Sequence, residues 1–200
     1  MLKSRSLNCD LEVGCDEVGR GCLAGPVVAA TVLLPKDFQS ELIKDSKLLN
    51  QKKRNEAEQI IKENAIDYSI QLIDVEIIDK INILNASILA MHKALDGLKI
   101  IPEHILIDGN RFKKYKEIPF QTVIKGDSKF LSIAAASILA KNFRDELMLN
   151  LSNEFPDYHW NKNFGYATKL HRDAIQQHGI CKHHRKSFKL FENQLELKFS

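Results

Sequence analysis

The amino-acid sequence predicts an α/β fold, a mixed central sheet flanked by helices, with a small helical extension at the C-terminal end. Three observations lead there. Two apolar, β-branched runs come first, with a glycine-rich break between them. Strand-like and helix-like segments then alternate, and beyond about residue 153 only helical patterning remains.

Residues 11–17 form the first expected strand and residues 26–34 the second. Gly19, Gly21 and Gly25 lie between them, which suggests a hairpin with an unusual connection. Residues 50–63 are polar and helical in composition, and residues 65–73 are strand-like. Residues 84–98 repeat apolar side chains at helical spacing (Ile88, Leu89, Met91, Leu95, Leu98), with Gly97 near the end. Residues 104–108 make a short apolar strand that stops at Asp108-Gly109-Asn110, and residues 120–124 make another. The clearest helix covers residues 130–151, where Ala134-Ala135-Ala136 lets a neighbouring backbone come close. A polar, aromatic-flecked loop leads to Tyr166, a helix starts near Thr168, and a final amphipathic helix is expected from Ser187. With no linker or repeat, residues 1–200 are read as one catalytic domain, with the core to about residue 152 and a helical region over 153–200.

Composition narrows the function. Hydrophobic residues make up 44% and charged residues 28%, a balance that excludes a disordered chain. No apolar run approaches a membrane span and the N-terminus lacks a signal-like stretch, so a cytoplasmic protein without membrane contact is expected. Cys9, Cys15, Cys22 and Cys181 form no CxxC pair and are read as reduced thiols. Cys181, His183 and His184 fit no common zinc spacing. The net charge is +3, but seven basic residues stand between Asn161 and Leu190 (Lys162, Lys169, Arg172, Lys182, Arg185, Lys186, Lys189) against Asp173 alone. Such a segment is either the footprint of a polyanion or a solvated face balancing acids elsewhere.

The chemistry begins at Asp16-Glu17. Adjacent strand residues face opposite ways, so two acids at the end of an apolar strand put at least one toward the core. A buried unpaired carboxylate is costly, and a divalent cation removes the problem. The alternative is an acidic turn beside a glycine loop. Asp108 repeats the arrangement at the end of a second strand, before Gly109. Carboxylates from separate strands that converge at one sheet edge can hold two Mg²⁺ or Mn²⁺ ions about 3.5–4 Å apart. Asp127, before the long helix, reads as an N-cap or as a further ligand flanked by Lys125 and Lys129. Asp145 competes with it, but Lys141 four residues earlier makes a structural ion pair the simpler account.

The blocks Asp16-Glu17-Val18-Gly19-Arg20-Gly21 and Leu23-Ala24-Gly25-Pro26-Val27-Val28-Ala29-Ala30 resemble the signature of ribonuclease HII. So do Asp45-Ser46-Lys47, Ile107-Asp108-Gly109, Lys125-Gly126-Asp127 and the helix from Ala134 through Arg144-Asp145. Gly165-Tyr166-Ala167-Thr168 and His184-Arg185 with Ser187-Phe188 complete a series in family order. The resemblance implies a ribonuclease H-like fold and an endonuclease that leaves 5′-phosphates. Its substrates would be the RNA strand of RNA–DNA hybrids and ribonucleotides embedded in duplex DNA.

It further implies metal binding and catalysis by Asp16, Glu17, Asp108 and Asp127, with Mg²⁺ or Mn²⁺. Gly19, Arg20 and Gly21 would approach the ribose 2′-hydroxyl, and Tyr166 would pack on the sugar at the RNA–DNA junction. Lys47, Lys125, Lys129 and the basic residues 162–189 are candidates for phosphate contacts. A Cβ at Gly21 is expected to crowd the ribose and to strain the turn. Trp160 is expected in a small core, with His159 and Phe164 open between core and duplex. A monomer is expected.

Competing readings have specific marks. A ribonuclease HIII-like enzyme usually carries an N-terminal substrate-binding domain, and only thirteen residues precede Gly14. The chain also ends soon after the expected last helix, without the longer tail that carries partner contacts in some members. A DNA-only two-metal nuclease or a phosphatase would share the acids. A non-catalytic hybrid-binding module would have no reason to keep four acids beside a phosphate backbone.

Overall fold

The computed structural model describes residues 2–7 and 9–191. Five strands form one sheet in the order β3-β2-β1-β4-β5: β1 Glu12–Val18, β2 Val27–Leu33, β3 Asp67–Ile73, β4 His104–Asp108 and β5 Phe120–Val123. β1, β2 and β3 pair antiparallel, whereas β4 runs parallel to both β1 and β5. The helices are α1 Gln51–Asn64, α2 Val75–Asp96, α3 Leu131–Glu154, α4 Trp160–Asn163 and α5 Lys169–His178.

Side-chain alternation splits the sheet into two faces. Val13, Cys15, Val27, Ala29, Ile105 and Ile107 pack against α2. Val28, Ala30 and Val32 pack against α1 and α3. The close backbone approach falls just before the alanine run of α3: a Cβ on Gly14 of β1 would collide with the α3 backbone at Ser132 and Ile133. Helix and strand touch backbone to backbone, and this contact fixes α3 across the end of the sheet. A third cluster joins Leu23, Ala24 and Met148 to Tyr158, Trp160, Ala174, Ile175 and Leu190. It fastens the C-terminal helices to the glycine loop after β1. Trp160 is fully buried there, as its sequence context suggested.

Two expected helices differ. α2 begins at Val75, nine residues before the start read from periodicity. Asn82 interrupts it with φ 64° and ψ 163°, and its side-chain oxygen accepts the Asn85 N–H at 3.1 Å. The sequence period therefore reports only the second, freshly capped segment. No helix starts at Ser187: Asp79 accepts both backbone N–H groups of Lys186 and Ser187, at 3.0 Å each, and holds them in a turn. The rest of that expected helix lies outside the described residues.

Candidate active site

The acids meet because two strands run parallel. In the β1–β4 ladder Cys15 stands opposite Ile107, so Asp16 and Asp108 come next on neighbouring strands. Both share the parity of Gly14 and Leu106 and face α3. Carboxyl ends of parallel strands are where open α/β sheets form sites. Asp16 is only 6% exposed. Its Oδ1 accepts the Glu17 N–H at 2.7 Å, and the Ser137 hydroxyl of α3 also bonds it, but among the described residues no cationic side chain forms an ion pair with it.

Burial, then the Glu17 and Asp108 carboxylates, push Asp16 well above the usual carboxylate range. Glu17 and Asp108 are also raised, chiefly by burial. Three neighbouring acids whose carboxyls burial raises fit hard divalent cations bound by oxygen donors. Among the described residues no three His, Cys, Asp or Glu side chains already form a metal cage. The carboxylates instead turn to protein donors. Glu17 takes Arg20 at 3.0 Å, Asp108 takes the Gly126 N–H at 2.6 Å, and Asp127 takes Lys47 at 3.4 Å.

Asp127 arrives on the 3-10 turn Gly126–Ser128, which a left-handed Lys125 (φ 55°) directs toward Asp108. It does not cap α3, whose N-cap is Phe130. Lys47 sits on the turn Ser46–Leu48, which Asp45 caps and a Ser46–Ser137 contact of 3.1 Å ties to α3. Burial works against the Lys47 charge, but Asp127 and Asp45 outweigh it and raise its pKa. Lys125 is exposed and makes no ion pair among the described residues. Asp16, Glu17, Val18, Ser46, Lys47, Asp108, Ser137, Lys141 and Tyr166 line a cleft of about 130 Å³. That is room for about four water-sized groups.

Ser137 and Lys141 were not singled out from the sequence. A serine directly after the Ala134-Ala135-Ala136 run was the available signal for the first. Lys141 bonds Asp145 at 2.6 Å, as its spacing suggested, but Asp145 is 3% exposed and also meets Arg54 at 3.4 Å. This is a buried triad rather than an exposed pair. Asp145→Asn should therefore cost about 3–5 kcal/mol, because it strands two partly buried cations. Asp127→Asn should leave stability nearly unchanged. Chemical denaturation of both variants checks the difference, and equal stabilities would overturn it.

The glycine turn divides its labour. Gly19 has φ +94°, and a Cβ there would strike the Arg144 side chain. Gly21 is exposed, lacks a positive φ, and a Cβ on it would meet nothing within 4 Å. The expected strain thus belongs to Gly19, and the open space to Gly21. Tyr166 stands at the rim, 37% exposed, bridged to Cys22 and 5.8 Å from both Lys141 and Arg144.

Its carbonyl accepts from His171 Nδ1 at 2.9 Å. Trp160 donates to His171 Nε2 at 3.0 Å, which puts the ring proton on Nδ1. The Cys181 N–H donates to His184 Nδ1, and the other ring nitrogen of His184 lies 3.2 Å from His171. Burial lowers the pKa of both rings, that of His184 to about 4. Arg185, counted among phosphate candidates by charge, is fully buried and reaches no substrate.

Solved structures share this architecture. The ribonuclease H2 of Pyrococcus horikoshii OT3 aligns with a TM-score of 0.77 at 23% identity, over 90% of this chain and 94% of that one. The Bst-RNase HIII structure in complex with Mn²⁺ aligns at 0.71 and 20% identity, over 90% of this chain but 67% of that one. At those identities the likeness speaks for the fold. The chain thus has a ribonuclease H-like fold with a carboxylate-lined cleft at the ends of β1 and β4.

The sequence model described as ribonuclease HII matches residues 13–191. The ribonuclease HII of Christiangramia forsetii is 58% identical over 93% of this chain and 94% of its own length. That of Bacteroides fragilis is 58% identical over 94% of each. The chain belongs to the ribonuclease HII family and is an endoribonuclease.

Proposed function

We propose that the chain hydrolyses RNA strands in RNA–DNA hybrids, and cuts at ribonucleotides embedded in duplex DNA, through Asp16, Glu17, Asp108 and Asp127. The observation that carries the residue assignment is the meeting of buried, charge-raised Asp16 with Asp108 across the parallel β1–β4 pair. When bound, two divalent cations, Mg²⁺ or Mn²⁺, activate water and neutralise charge on the departing oxygen. The chain's own part is to present ionised carboxylates, to hold Asp127 with Lys47, and to exclude bulk water with α3. Since burial raises three of the acids, turnover at limiting cation should climb with pH as they ionise.

Gly19-Arg20-Gly21 reads the 2′-hydroxyl and Tyr166 packs on the adjoining sugar. Lys47, Lys125, Lys129 and the exposed basic residues of 162–189 hold phosphates, which fixes register without reading sequence. The proposed setting is the cytoplasm, as a monomer. Among the described residues no helix is long and apolar enough to cross a membrane.

End-labelled all-DNA, hybrid and single-ribonucleotide duplexes, incubated with and without Mg²⁺ or Mn²⁺, test the reading. Cleavage of the two ribonucleotide-containing duplexes only, with cation only, is expected. Cutting of all-DNA duplex would overturn it.

Gly21→Ala gives a sharper test. Its stability should stay within about 0.5 kcal/mol of the parent, as at an unconstrained surface site, while cleavage falls because the new methyl stands where the ribose approaches. Gly19→Ala should lose about 1–3 kcal/mol through backbone strain. Thermal melts and initial rates of both variants decide. A fully active Gly21→Ala removes Gly21 from substrate contact.

A further inference from the structure

Two fully buried arginines lie beneath the glycine turn, and neither forms an ion pair among the described residues. All their bonds go to backbone carbonyls. Arg144 of α3 donates to Pro26 at 2.9 Å, Ala24 at 3.0 Å and Phe164 at 2.9 Å. Arg185 donates twice to the Gly25 carbonyl, at 3.0 and 2.8 Å, and once to that of Arg20 at 3.0 Å. Burying a guanidinium without a carboxylate is expensive, so six bonds to five inward-turned carbonyls, four of them in the loop after β1, are a large commitment.

The consequence follows from peptide geometry. No peptide bond is cis, so the carbonyl of Arg20 and the N–H of Gly21 point in opposite directions. Drawing the Arg20 carbonyl inward to Arg185 turns the Gly21 N–H away from it, on a residue that is exposed. That N–H has no partner within the described chain. Meanwhile Arg144 holds the far side of the loop and the Phe164 carbonyl two residues before Tyr166, so one helix sets both halves of the rim.

We infer that Arg185 and Arg144 are positioning residues for ribose recognition: Arg185 aims the Gly21 N–H at the substrate sugar, and Arg144 sets the spacing between the glycine turn and Tyr166. The inference rests on the reading that Gly19–Gly21 contacts the ribose. Although burial lowers the pKa of Arg185 to about 10, the group stays charged at neutral pH. Its fork can grip two carbonyls at once, which a lysine ammonium cannot do with the same geometry.

The test is a double-mutant cycle with Arg185→Lys and Gly21→Ala, read as kcat and KM on a DNA duplex carrying one ribonucleotide. Arg185→Lys alone should lose about ten- to a hundredfold, in kcat rather than KM, as a misplacement near the chemistry does. In the Gly21→Ala background the same change should cost less than threefold, while the Mg²⁺ midpoint stays put in all variants. Equal losses in both backgrounds would reduce Arg185 to a structural residue and overturn the inference. A fully active Gly21→Ala would instead overturn the ribose reading itself.

Asp79→Asn covers the case of a poorly folded Arg185→Lys. Asp79 is half-buried, does not line the cleft, and holds the turn that follows Arg185 through Lys186 and Ser187. It should fold normally and lose about threefold in kcat, again only when Gly21 is present. No change, or a loss that persists without Gly21, would overturn the inference as well.

Discussion

Asp16→Asn and Asp108→Asn should each abolish turnover, by a thousandfold or more, which is on the order of losing one transition-state electrostatic contact outright. Hybrid binding should survive, because the proposed phosphate contacts are lysines and arginines, which both substitutions leave in place. The same variants should melt higher than the parent in a chelator at neutral pH. Burial and two neighbouring carboxylates raise the folded-state pKa of Asp16 above its unfolded value. The folded protein therefore holds that proton more tightly, and its stability falls as pH rises from the unfolded value, about 3.9, toward the folded one. An amide never ionises and escapes this loss, so the advantage of Asn should shrink as pH drops through the carboxylate range. Saturating Mg²⁺ should raise the melting temperature of the parent more than that of either variant. Near-normal cleavage by Asp16→Asn or Asp108→Asn at saturating Mg²⁺ would sink the metal-site assignment. So would a chelator-treated variant that melts below the parent across the whole pH range.

What the sequence made legible was local. The apolar, β-branched runs of β1 and β2 and the apolar β4 ending at Asp108 showed in residue type alone, and so did Asp16-Glu17 and Asp108. The parallel pairing of β1 with β4, which puts Asp16 beside Asp108, did not, because strands of the same direction leave no turn signal between them. The first half of α2 was hidden by its β-branched residues and by Asn82, where the helical phase restarts. Charge counting misjudged Arg185 because an arginine's burial is set by its partners. Its carbonyl partners Gly25 and Arg20 lie 160 and 165 residues away. Asp145 misled in the same way: its i,i+4 lysine was visible, but the third member of the triad, Arg54, comes from α1. Glu12 is a further case. It is fully buried inside a strand that reads as apolar, and His104 together with Ser6 satisfies its carboxylate.

Tyr166→Ala should separate recognition of the junction from catalysis. The ring is held at the cleft mouth by its surroundings rather than by its own packing: His171 grips the carbonyl, Cys22 pairs with the hydroxyl, and Lys141 and Arg144 flank the ring. Removing it leaves the backbone bridge to Cys22 and the carbonyl bond in place, so the fold should hold. Every cleft carboxylate also stays, so the Mg²⁺ dependence should not move. What goes is a flat apolar face for the sugar, and an aromatic platform on nucleic acid contributes about 1–3 kcal/mol. That corresponds to roughly ten- to a hundredfold in kcat/KM. The full loss should appear on a duplex with one embedded ribonucleotide, where a single register offers both the 2′-hydroxyl and the junction. Along a continuous RNA strand many registers present a 2′-hydroxyl to Gly21, so the loss there should be several times smaller. Measuring kcat/KM for Tyr166→Ala on both substrates, with a Mg²⁺ titration beside each, reads the ratio directly. Equal losses on the two would make Tyr166 a packing residue and move junction recognition to the glycine turn alone.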